Sequence, residues 1–195
     1  MNMNLSNLKV DIKHFIKNYG FIDMNKSKDL TSQFCFKFLR MHDVTFEKLY
    51  EITKVKFHVS AFSLDKRAVE YLSVDTAPHM SVIDAVCMSI CVPFIFSPFK
   101  GHIDGSVSED MPYVPFINRD VSDVYVICCE SNEIRQYTGL WSYFTYILSI
   151  YYCIRHKCPI AYPMTKIERN IDMFNFKMNT ESRTKLYLHA YDRVL

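Results

Sequence analysis

The sequence predicts an α/β fold, and three observations support it. Apolar residues recur at helical spacing in 5–18, 30–41 and 81–90, whereas 55–59 and 69–73 alternate as strands do. Val124 to Cys129 is an unbroken apolar run, the pattern of a central strand covered on both faces. Between them, His79 to Pro112 (HMSVIDAVCMSICVPFIFSPFKGHIDGSVSEDMP) reads as a short capped helix, a Pro-ended turn, a strand and a tight turn.

In chain order, Leu5, Leu8, Ile12, Phe15 and Ile16 share one helical face, with Gly20 placed to follow the helix end. Leu30, Phe34 and Phe38 predict a second helix closing near Met41. A third covers 43–53 with Thr45 as N-cap. Val55, Phe57 and Val59 alternate as one strand and Val69, Tyr71 and Ser73 as the next, a hairpin turning at Asp65-Lys66. Ser81 and Asp84 form an S-x-x-D capping box for the helix in which Ile83, Val86 and Ile90 make the buried face. Pro93 cannot continue that helix and favours extended geometry before it. The strand His102-Ile103 then leads to Asp104, beside Gly105, a residue able to take positive φ. At the other end of the chain, Thr180 is the expected N-cap of a final helix with Leu186, Ala190 and Val194 on one face.

At 195 residues without an internal repeat or linker, the chain suits one domain with a real core. Its net charge of +2 carries no dense Lys/Arg face, which argues against nucleic acid as a partner. Seven cysteines, none in a C-x-x-C pair, and no N-terminal signal peptide favour a reducing, cytoplasmic setting. Cys87 and Cys91, four apart on a helix, read as small buried residues before they read as metal ligands. His58, His79 and His102 show no ligand spacing, so neither a metal nor another cofactor is expected. Nineteen uncharged residues, 136–154, approach the length of a membrane span, but five tyrosines among them favour a buried or interfacial helix over a true span.

The stretch from His79 to Pro112 resembles the catalytic-Asp region of the patatin-like phospholipase (PNPLA) family. The helix end at Ala85 to Pro93 matches the family's Pro-terminated turn, and Asp104-Gly105-Ser106-Val107 through Pro112 matches its D-G-[GA]-V-x-x-N-x-P. Ser106 replaces a Gly or Ala, and Asp110 stands where Asn is usual. The likeness runs from about residue 5 to the end and is strongest over 43–129, through Thr45-Phe46 and Leu49 and Ala77-Pro78, with the segment from Phe176 to Glu181 matching near the end. The resemblance implies a three-layer α/β/α sandwich, here truncated at the N-terminus, a lipid or membrane surface as substrate, and Asp104 as the base of a Ser–Asp dyad. Gly105, Ser106, Pro93 and Pro112 would support that corner.

Glycine sets the limit of the resemblance. The four glycines, at 20, 101, 105 and 139, cannot write either a G-x-S-x-G nucleophile elbow or a Gly-rich oxyanion loop. Ser89 lies in the helix before Pro93, and Ser106 and Ser108 have no strand-turn-helix frame, so none matches the nucleophile. Three classes of function follow: part of a split lipid acyl hydrolase completed by an N-terminal half, a non-catalytic lipid- or protein-binding remnant, or an unrelated α/β domain in which Asp104 is a turn former. A central strand beside a vacancy would also make the isolated chain prone to self-association.

Overall fold

The computed structural model describes residues 12–109, 111–131, 139–140, 143, 146–147, 150, 158–169 and 179–194. They mix helices and strands in an α/β fold and divide into two compact units, one up to Pro115 and one from Phe116 onward.

The first unit begins with α1 (Ile12–Asn18) and β1 (Gly20–Ile22). The left-handed residue after α1 is Tyr19, φ 59°, not Gly20. Gly20 serves β1 instead. It pairs in parallel with Phe94 of β4 (Phe94–Phe96), and a Cβ there would lie 2.3 Å from the Phe96 carbonyl carbon. Only glycine permits that approach. Ile16, expected inside, is 68% exposed.

Next comes α2 (Met24–Leu39), capped by Asp23 and closed by Arg40 in a left-handed conformation. Helix α3 (Phe46–Thr53) starts as expected from Thr45, whose Oγ1 accepts the Lys48 N–H at 3.2 Å. The expected strand at Val55 is absent. β2 runs Val59–Ser63, and Val55 and Phe57 lie outside it, 63% and 42% exposed. The reason is pairing: β3 (Ala68–Leu72) ends opposite Val59, and Ser73 and Thr76 then fold into a turn, Ala77 N–H donating to Ser73 O. Residues 55–57 have no strand to bond, although the hairpin itself forms around 64–67.

Helix α4 (Val82–Ser89) packs against β2 and β5 (His102–Asp104). Half of the capping box forms: Ser81 Oγ accepts the Asp84 N–H at 3.2 Å. The Asp84 carboxylate is used elsewhere, as described below. Burial also departs from a single stripe. Val82, Ala85, Cys87 and Met88 are buried with Ile83, while Ile90, past the helix end, is 42% exposed. A short helix enclosed by α2 on one side and the sheet on the other has little surface left for water.

In the second unit β6 (Val126–Ser131) pairs in parallel with β7 (Met164–Arg169). The expected central strand is not covered on both faces, since Ile127 is 53% exposed. Only β7 borders it among the described residues, and the described strands form three small sheets, β1-β4, β3-β2-β5 and β6-β7. The last helix, α5 (Thr180–Val194), is capped by Asn179, whose Oδ1 accepts the Ser182 N–H at 2.8 Å, so Thr180 is the first helical residue and not the cap. Most of 136–154 and the segment 173–178 lie outside the described residues. Among the described residues, no helix is long and apolar enough to cross a membrane.

Candidate active site: the Asp104 corner

Antiparallel pairing builds the corner. In the sheet β3-β2-β5, Ala61 stands opposite Glu70 on one side and Asp104 on the other. Directly opposed residues point to the same face, so Glu70, Ala61 and Asp104 line up across three strands. Ser63, two residues along β2, likewise stands opposite His102. His102 therefore shares the face of Asp104. Ala61 presents only a methyl group, and over it His102 Nε2 reaches diagonally to Glu70 Oε2 at 2.6 Å. The other ring nitrogen, Nδ1, lies 2.8 Å from the Lys100 carbonyl oxygen. Lys66 also contacts Glu70, at 2.5 Å. Together Lys66 and His102 hold the Glu70 carboxyl below its ordinary range, Lys66 contributing most.

Asp104 ends β5. Its backbone N–H donates to Cys91 O at 2.9 Å, which ties the corner to the end of α4. Its Oδ1 accepts the Ser106 N–H at 2.8 Å and caps the 3-10 turn Gly105–Val107. That bond fixes the rotation of the carboxylate. Gly105 does not take a positive φ; space demands it instead. A Cβ at Gly105 would lie 2.8 Å from the backbone of Ser60 and 2.9 Å from its Oγ. The turn thus sits directly on β2. Ser106, the departure from the family pattern, serves the corner through its backbone, which any residue but proline supplies. Farther along the loop, Glu109 accepts a hydrogen bond from Tyr71 Oη on the opposite face of β3, and burial first, then Glu109, pushes the Tyr71 phenol up. Pro93 is half-buried between α4 and β4, Pro112 is exposed, and Asp110 lies outside the described residues.

A second carboxylate stands on α4, the helix packed against β5. Asp84 is buried, with Lys28 of α2 at 2.7 Å and Lys100, two residues before β5, on its other oxygen. Burial pushes this carboxyl up, but the ammonium groups of Lys100 and Lys28 outweigh it and hold it below the usual range. The pairs connect α2, α4 and the turn into β5 across one charge.

Cys87 and Cys91 are not set up as nucleophiles. Cys87 and Cys91 are buried, as the sequence indicates, and burial pushes their thiols up to about 11 and about 12. A thiol so placed stays protonated. The histidines differ in setting: His102 is part of the corner, whereas the His79 side chain is 83% exposed and lies 3.3 Å from Glu47. Among the described residues no group of three His, Cys, Asp or Glu side chains could hold a metal. What the arrangement offers is a carboxylate at a strand end, oriented by a backbone amide, half-buried and able to take a proton from a group brought within reach. Sequence reasoning missed Glu70, yet the hairpin register around Asp65-Lys66 places it opposite Ala61.

No family model matches the sequence. The chain is similar to a viral protein named for lipid hydrolysis. Over 96 residues it is 29% identical to "Probable lipid hydrolase 463L" of Invertebrate iridescent virus 6, an alignment covering 47% of this chain and 33% of that protein. The alignment therefore spans about a third of the length of the curated relative.

Proposed function

We infer that the chain, residues 1–195, is the Asp-bearing part of a patatin-like lipid acyl hydrolase and that Asp104 is its base. The observation that carries this is the Asp104 corner, a carboxylate at the end of β5 in the D-G-x-V-x(4)-P pattern. Similarity to a protein named as a lipid hydrolase supports the same class of reaction.

The chemistry is acyl transfer. A serine hydroxyl attacks the ester carbonyl and its proton passes to Asp104; the acyl–oxygen bond breaks and the leaving alcohol takes that proton. Water then attacks the acyl-serine by the same route and releases the fatty acid. The serine and the oxyanion-binding amides come from outside these 195 residues, because the four glycines present cannot build their loops. Alone, the chain is inactive. Its partners are a lipid surface and a serine-bearing complementing half, or a second copy.

A second reading, a non-catalytic lipid- or protein-binding remnant, is favoured by that glycine count. Mixing this chain with a serine-bearing N-terminal half and following fatty-acid release from a phospholipid or a nitrophenyl ester separates the two. Activity should appear on mixing and vanish in Asp104→Ala. Activity that survives Asp104→Ala removes Asp104 from the mechanism, and silence in every mixture leaves the remnant reading.

A further inference from the structure

We propose that the first helix and the start of β4 form a docking face for an anionic lipid surface. This deepens the lipid-hydrolase reading and rests on it for the choice of lipid as occupant. At 100° per residue, Ile16, Lys13 and Lys17 follow one another around a single arc of α1, and Tyr19 stands at its end. All four are exposed, Tyr19 by 71% and Ile16 by 68%. Phe94 of β4 joins them, 44% exposed, its ring 6.5 Å from that of Phe15, which stacks on Phe21 beneath.

Two features distinguish this face from a chance group of apolar side chains. The first is backbone geometry. Tyr19 and Phe94 both occupy the left-handed region, at φ 59° and 67°. Aromatic residues are uncommon there, and glycine or asparagine would fit with less strain. Of the six non-glycine residues at positive φ among the described residues, these two are aromatic, and both are exposed. The second is charge. Two lysines beside an aliphatic and an aromatic residue match an interface of anionic headgroups over acyl chains, where tyrosine and phenylalanine bury their rings and lysine extends its ammonium outward. The face is also close to the candidate chemistry along the chain. Phe94 is three residues after Cys91, whose carbonyl accepts the Asp104 N–H.

The test is co-sedimentation of the full chain with vesicles of phosphatidylcholine alone and of phosphatidylcholine with phosphatidylserine. Binding should favour the anionic vesicles and weaken with added salt. Tyr19→Asn and Phe94→Asn remove the rings while relieving the backbone, so both variants should fold, as circular dichroism would verify. Each should reduce binding to the anionic vesicles about tenfold. Lys13→Gln and Lys17→Gln should each reduce it about fivefold. No binding by the unmodified chain overturns the proposal. So does salt-independent binding, or binding that both ring variants leave unchanged. Ring variants that abolish a dimer while vesicle binding persists would assign the face to a second copy and overturn it as well. Vesicle binding without fatty-acid release in any mixture would count against the hydrolase reading alone; release from a dispersed ester without vesicle binding would count against the docking face alone.

Discussion

Asp84 and Asp104 stand in elements that touch, α4 and β5, and their carboxylates are put to different uses. Asp84 is 6% exposed and meets two ammonium groups that come from α2 and from the turn before β5. Its charge is matched, and it joins three segments. Asp104 is half-buried, and its Oδ1 holds a backbone amide one turn away. The difference shows why burial alone is a poor guide to chemistry. The more enclosed carboxylate is the structural one, since two cations keep it ionised and occupied. The one at the strand end is oriented by the Ser106 amide on an edge strand of its sheet, and it is the one to which the proposed chemistry assigns the proton transfer.

Substitutions can break or sharpen this contrast. Asp84→Asn should be the most damaging to stability, by about 3 kcal/mol in urea denaturation, toward the low end for breaking a buried pair because both lysines can reach water. Its pH dependence has a definite sign. The folded carboxyl titrates below its unfolded value. The stability it contributes is therefore complete above about pH 5 and is lost as pH falls through about 4 and below. The gap between wild type and Asp84→Asn should shrink over that same range. A gap that stays constant down to pH 3 would mean the ion pairs do not carry the effect.

Gly105→Ala should come next, at about 2 kcal/mol, because the new methyl meets the Ser60 backbone, which cannot move as a side chain can. The displaced turn should also weaken any activity measured on mixing. A harmless Gly105→Ala would show that the turn does not rest on β2.

Glu70→Gln should cost about 1 kcal/mol, mostly through the bond to His102, whose side chain is only 15% exposed. The Lys66 contact adds little, since the Lys66 side chain is 69% exposed. Lys66→Gln should accordingly leave the thermal midpoint almost unchanged.

Asp104→Asn should affect stability least, by a few tenths of a kcal/mol, because an amide oxygen caps the Ser106 N–H as a carboxylate does. In the mixed enzyme the same substitution should abolish fatty-acid release. A large stability loss with activity retained would exchange the roles assigned to the two aspartates.

Interactions between near neighbours in sequence were determined by the sequence itself. Thr45 and Ser81 cap the helices that follow them, Pro93 comes after the end of α4, and Asp104-Gly105-Ser106 makes a turn at the end of a strand. Each is a bond or a steric limit within a few residues, so local chemistry is enough to set it. The tertiary structure decided whatever depended on a distant partner. Gly20 and Gly105 are glycines because the backbones of Phe96 and Ser60 pass so close, not because the chain turns left there. Asp84 pairs with Lys28 and Lys100 rather than completing its capping box. Val55 and Phe57 alternate like a strand but have nothing opposite to pair with, while Ile16 and Ile127 have the hydrophobicity of core residues and lie in the open. Periodicity records which side chains could be buried together. Which of them are buried depends on what packs against each face, and that is a property of the folded chain as a whole.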